Sequence, residues 1–332
     1  MSSRVRAGLS QKLMRLEPEP PFHDPGELRR TWNREWGAWD DVGALREVLV
    51  RPPGQELEQI TADMWNAEAG ALVDPRGGWY WIGEQPPDID LARSQHAGLV
   101  AALEAEDVLV HRAPPMLPSF VKACYTRDPL VAAPGGMIVS RMAPRMRRGE
   151  ERDVTAIVGG LAIPILRTIT GTATVEGGTV VRLHAGLVAY GQSIRCNTEG
   201  ARQLQEALSP AGVEVVVVPV PGYGIHLDGY IGLADVDKAL VRTEHLPFWF
   251  LERLEQLGYE LIHCPIQEPW GVNLLAVAPG RVIMSESAPY AAEALARAGV
   301  EVITVPYSEI EKNGGGVHCS TQELWREQAT ST

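Results

Sequence analysis

A chain of 332 residues with 45% hydrophobic and 22% charged side chains can bury one large core or two ordinary ones. A formal net charge of −12 argues against a non-specific nucleic-acid binder, which needs a basic surface, and is compatible with a small cationic ligand. No apolar run is long enough for a membrane span, and "MSSRVRAGLSQKLMRLEPEP" lacks a signal-peptide core, so a cytoplasmic protein is expected.

Residues 1–42 read as an N-terminal extension, with tryptophans clustered in "TWNREWGAWDD", and residues 43–332 as a single domain. The stretch 64–88, "MWNAEAGALVDPRGGWYWIGEQPPD", is long, aromatic and rich in turn residues, which suits a lid over a pocket or packing against the N-terminal tryptophans. From there an amphipathic helix followed by a short β-branched run recurs, closing on Pro114, Pro219, Pro265 and Pro306, with a weaker copy ending at Pro164. The spacing, roughly 40 to 55 residues, marks one supersecondary unit used repeatedly. Strand pairs lie between the copies, and Gly186 and Pro279-Gly280 stand where hairpins must turn. The unit is strand, strand, helix, strand, used about five times. A doubly wound parallel sheet has no reason to insert a hairpin into every repeat. A ring of five small mixed sheets, an α/β propeller, does, and it gathers distant loops around one axis.

Polar candidates fall at similar intervals. "CYTRDPLV" carries Asp128, "TATVEGGTVV" carries Glu176, "GYGIHLDGYIG" carries His226 and Asp228, and "GGGVHCST" carries Cys319. Singly, each has an ordinary structural explanation: a turn, a hairpin corner, a satisfied core histidine, a small hydrophobe. Cys124, Cys196, Cys264 and Cys319 form no C-x-x-C pair, which disfavours a disulfide framework and a zinc knuckle. His226, Asp228, Glu176 and Cys319 could ligate a metal, but the spacing of His226 and Asp228 is not the helical one that zinc enzymes favour.

In order along the chain, "YTRDP", "EGG", "SIRCN", "HLD" and "GGGVHC" resemble the guanidino-group-modifying enzymes: arginine deiminases, agmatine deiminases, dimethylarginine dimethylaminohydrolases and amidinotransferases. The resemblance runs from about residue 46 onward and implies the five-bladed α/β propeller of that superfamily, the pentein fold. It implies that Cys319 is a nucleophile, that His226 serves as acid and base with Glu176 orienting or charging it, and that Asp128 and Asp228 clamp a guanidinium. The residue types suit those roles. Carboxylates bind a guanidinium in its plane, a thiolate attacks the exposed carbon to give a thiouronium, and one imidazole moves both protons. No cofactor or metal is needed. Arginines in "APRMRRGE" and "SIRCN" grip the substrate carboxylate in family members that handle amino acids, which points to Arg148 and Arg195. A solvated basic loop is the plain alternative for the first of these.

The family's dimethylarginine hydrolases have no acid where this chain has Asp228, so a methylated substrate is disfavoured. Glu176 stands where many amidinotransferases have Asp, which favours water as the acceptor. His318 in "GGGVHC" and the tryptophan-bearing N-terminus resemble amidinotransferases instead, and keep amidino transfer as the second reading. A bacterial arginine deiminase is longer, with a helical insertion not found here. The third reading is a binding module, because some translation initiation factors share this fold without the catalytic set. The expected partner is a small cationic guanidino compound, not nucleic acid or membrane, and nothing in the sequence excludes a homo-oligomer.

Overall fold

The computed structural model describes residues 3–13 and 19–330. Parts of the N-terminal extension therefore lie outside the described residues. Five three-stranded mixed sheets share one plan: a hairpin, then a helix, then a third strand parallel to the second. Leu130–Ala133 pairs antiparallel with Gly136–Val139, which pairs parallel with Ile165–Thr168. Val180–His184, Leu187–Gln192 and Glu214–Pro219 repeat the pattern, as do Ile231–Asp235, Lys238–Val241 and Glu260–His263, and then Leu275–Ala278, Arg281–Ser285 and Glu301–Val305. The remaining sheet joins the two ends of the chain. Gln322–Arg326 lies antiparallel to Leu45–Val50, which runs parallel to Leu109–Arg112. A doubly wound sheet is thus excluded among the described residues, where each sheet has three strands.

The crossover helices are Ile89–Ala105, Glu150–Gly160, Thr198–Leu208, Phe248–Gln256 and Pro289–Arg297. Short polar residues start two of them, since Asp88 and Asn197 accept the backbone N–H of Leu91 and Gly200 and satisfy otherwise orphaned donors. Gly280 turns its hairpin at φ +69°, a conformation that favours glycine, and Gly186 closes the turn between His184 and Leu187. The repeat ending at Pro164 differs from expectation. Its strand lies beyond the proline, because the Pro164 carbonyl accepts the N–H of Met137 and so begins the pairing.

The third strands are only partly covered, whereas the first and second strands of the four sheets from Leu130 onward are almost wholly buried. First strands of different sheets touch: Gln322–Arg326 meets Leu130–Ala133, and Ile231–Asp235 meets Leu275–Ala278. Between them lies a buried ion network in which Glu323, fully buried, pairs with both Arg127 and Arg182, and Arg182 also pairs with Asp41. Breaking one member would leave an uncompensated buried charge, so the network fixes which strands meet. Trp36, Ala38 and Val42 are buried in the same body, and Gly37 bridges to Trp325. A sixth sheet, Trp65–Asn66, Ala71–Val73 and Tyr80–Ile82, is wholly antiparallel and stands outside the repeat. No helix among the described residues is long and apolar enough to cross a membrane.

Candidate active site

Each of the five sheets sends one segment into a common place, the few residues immediately before its first strand. Asp128 precedes Leu130, Glu176 precedes the short turn into Val180, His226 and Asp228 precede Ile231, Asn273 precedes Leu275, and Cys319 precedes Gln322. All six are buried, and all but Glu176 line a single cavity of about 580 Å³.

Glycines make the approach possible. A Cβ at Gly178 would lie 2.7 Å from His226 Nδ1, 3.0 Å from Asp228 Oδ2 and 3.1 Å from Asp128 Oδ1, so "EGG" leaves space where three functional groups converge. In "GGGVHC" each glycine faces a different side chain. A Cβ at Gly314, Gly315 or Gly316 would stand 2.5 Å from Tyr80 Oη, the Tyr125 ring or Asn273 Oδ1 respectively. Three tight contacts thus deliver Cys319 to the cavity.

His226 Nε2 is 2.7 Å from Glu176 Oε2, and Nδ1 is 3.5 Å from Asp128 Oδ1. Glu176 is fixed in turn by the N–H of Ala143 at 3.0 Å and by Arg195. Burial pulls the imidazole pKa down, but the charge of Asp128 and the hydrogen bond to Glu176 outweigh it and raise it. Burial would raise Asp128 and Glu176, yet His226, Arg147 and Arg195 hold the first below the usual carboxylate range, and Arg195 and His226 do the same for the second. Asp128, Glu176 and His226 each place a donor atom within 4.8 Å of the others, which could hold a metal ion. Arg147 and Arg195 already lie on those carboxylates, so a divalent cation would meet two guanidinium groups.

Cys319 Sγ accepts the side-chain N–H of Asn273 at 3.2 Å and lies 3.8 Å from Asp228 Oδ2. Asp228 Oδ2 is 2.9 Å from His318 Nδ1. Asn273 Oδ1 accepts the backbone N–H of His318 at 3.0 Å and that of Cys319 at 3.4 Å. Burial first, then the negative charges of Asp228 and Asp128, push the Cys319 thiol well above its ordinary range.

The sequence profile of the arginine deiminase family matches residues 100–247 and 243–326. The chain belongs to the arginine deiminase family. A dimethylarginine dimethylaminohydrolase of Pseudomonas aeruginosa is 30% identical over 233 residues, 70% of this chain and 88% of that one. An arginine deiminase of Lactococcus lactis is 25% identical over 329 residues, 85% of this chain and 77% of that one. The solved structure of the Pseudomonas aeruginosa enzyme, complexed with citrulline, superposes with a TM-score of 0.69 at 26% identity, covering 84% of this chain and 99% of its own. An amidinotransferase of Microseira wollei, 18% identical, shares the fold with a TM-score of 0.72 over 90% of this chain and 99% of its own. The chain is therefore a member of the guanidino-modifying superfamily, with an α/β fold of several small mixed sheets.

Within this family member, Asp128, His226, Asp228, Cys319 and Arg195 line the cavity, and Glu176 touches it through His226. Arg148 does not. It lines a separate depression with Asp74, Arg76 and Met146, and Arg147 is the residue that enters the site. The reason is local. Arg145–Arg147 forms one turn of 3-10 helix that ends at Arg148, and Asp128 and Glu150 capture the fork of Arg147 from inside. Asn273, His318 as the partner of Asp228, and Lys122 escaped sequence reasoning. The repeat itself could have revealed Asn273, which occupies in its sheet the position that Asp128 and Cys319 hold in theirs. Tyr80 of the sixth sheet and Trp79 just before its last strand also line the cavity, while Trp81 is fully buried, so the aromatic stretch both walls the site and packs.

Proposed function

We propose that the protein is a cysteine-dependent hydrolase of the guanidino group of arginine or an arginine-like compound. The observation that supports this most is the meeting, in one cavity, of a thiol, two carboxylates and a histidine braced by a third carboxylate. Residues 43–332 act as one catalytic domain, a propeller of five sheets around this site, with residues 1–42 as an N-terminal extension. The working location is the cytoplasm, a reading supported by four unpaired, buried cysteines.

Asp128 and Asp228 clamp the guanidinium through charge-assisted hydrogen bonds and expose its central carbon to Cys319. The thiol proton departs to solvent as the cation binds, and the Sγ–C bond forms. An amine leaves from the tetrahedral centre with a proton from His226, giving a cationic thiouronium. Water then gives one proton to His226 and its oxygen to the carbon, and the Sγ–C bond breaks as the new hydroxyl loses its remaining proton to solvent, which releases a ureido product and the thiolate. Glu176 keeps the ring turned towards this exchange, and Asn273 donates to the sulfur that regains its charge.

A product assay on arginine, agmatine and simple guanidino acids, with and without an amine acceptor, tests the reading. Ammonia with a ureido product is expected, independent of the acceptor. Acceptor-dependent formation of a new guanidine would assign amidino transfer instead. No turnover of any guanidine, by a folded preparation in reducing buffer, would favour a binding module.

A further inference from the structure

Four long cations line the cavity, and three of them are accounted for. Arg147 is bound by Asp128 and Glu150, and the charge of Arg195 is answered by Glu176, although its buried Nε has no hydrogen-bond partner. Lys122 donates to the carbonyls of Tyr80 and Asn313 and sits 4.4 Å above the Tyr80 ring, where burial pulls its pKa down to about 7. A lysine so placed can shed its charge. An arginine cannot.

Arg242 is the fourth. It follows the strand Lys238–Val241, is 6% exposed, and makes its hydrogen bond to the carbonyl of Glu268. No ion-pair partner approaches it among the described residues. The carboxylate of Glu268 is turned away to cap Pro289–Arg297, where it accepts the N–H groups of Tyr290 and Ala291 at 2.7 and 2.8 Å. Beside it on the cavity wall, the buried Nδ1 of His245 has no hydrogen-bond partner, and its ring leans on Tyr230 with centroids 5.6 Å apart. Burying a permanent cation without a counter-charge is costly, and an unpaired imidazole nitrogen adds to that cost. Both costs are relieved together if an anionic group occupies this end of the cavity.

We infer that Arg242 and His245 form an anion subsite, so that the guanidino compound processed at Cys319 carries a carboxylate or similar anion at its far end. The inference rests on the guanidino reading above. It replaces Arg148, which lies outside the cavity, and adds to Arg195, whose charge Glu176 answers while its buried Nε is left to donate. It also explains how an acidic site, with three carboxylates around the thiol, takes a zwitterionic or acidic substrate. The two charges of the ligand are read at separate ends.

The test is calorimetric binding to the Cys319→Ser protein, which holds ligand without turning it over. Arginine and a series of guanidinoalkanoic acids of increasing length are compared with alkylguanidines of matched length. At least one acid should bind about ten- to a hundredfold more tightly than its alkyl counterpart, the range of a lost charge-assisted contact. Arg242→Gln should erase that preference and leave the alkylguanidine unchanged. Where this variant melts early, Arg242→Lys and His245→Ala take its place, each expected to reduce the preference several-fold. Alkylguanidines bound without any preference for acids, or a preference that survives every one of these changes, would overturn the subsite alone. Failure of every guanidine to bind would overturn the guanidino reading and the subsite with it.

Discussion

Cys319→Ser should lower turnover by more than about a thousandfold, on the order of 4 kcal/mol of barrier, while leaving the thermal melt unchanged. The replacement is nearly isosteric, and a serine oxygen can still accept the Asn273 amide that meets Sγ at 3.2 Å. What is lost is nucleophilicity, because an alcohol is far harder to ionise than a thiol and nothing around Cys319 abstracts its proton strongly. The same change at Cys124, Cys196 or Cys264 should cost stability only. Those thiols are buried among apolar neighbours, with burial pushing Cys124 up to about 12 and Cys264 up to about 11, and none of them lines the cavity. Steady-state rates and melting curves of the four variants decide the matter, and more than a few per cent of residual activity in Cys319→Ser contradicts the covalent route.

The pH dependence of Cys319 alkylation should move when a guanidinium binds. In the empty site, burial and the charges of Asp228 and Asp128 disfavour the thiolate, so the apparent pKa lies above the free value of about 8.5. The pKa of His226 is raised by Asp128 and Glu176, and any positive charge on the ring is answered by those same two carboxylates. A bound guanidinium places a permanent positive charge beside the sulfur and favours the thiolate. The sign is therefore downward, by at least about one pH unit with a short alkylguanidine that leaves the sulfur accessible. A small neutral alkylating reagent measures it. A value below 7 in the empty protein, unmoved by the cation, would instead mean a preformed thiolate and imidazolium pair.

Much of this site could be read from the sequence because a repeat makes position predictable. Once each unit is strand, strand, helix, strand, the residues before each first strand must meet if the sheets surround one axis, and Asp128, Glu176, His226, Asp228 and Cys319 stood out there as chemically capable. Asn273 occupies the same position but sits in "WGVNLL", where an asparagine carries no chemical signature until its two ends are seen holding Sγ and the backbone of Cys319. Arg147 and Arg148 could not be told apart by residue type. A single turn of 3-10 helix decides which of two adjacent side chains points inward, and that phase depends on Glu150 and Asp128, which are distant or differently placed in sequence. Arg242 was silent for another reason: its distinction is the lack of an acid nearby, and only packing reveals that. The tryptophans of 64–88 read as lid or packing because alternation along a short strand serves both, with Tyr80 facing the cavity and Trp81 the core.

The most direct measurement is the mass of the intact protein after rapid acid quenching during turnover of arginine or the best guanidino acid, followed by peptide mapping. A transient adduct of the amidino carbon and its remaining substituents is expected on the peptide that contains Cys319, present in the active protein and missing from Cys319→Ser. Turnover that proceeds at full rate with no adduct on that peptide at any quench time, under conditions that preserve a thiouronium, would contradict it, as would an adduct mapped to Cys124, Cys196 or Cys264.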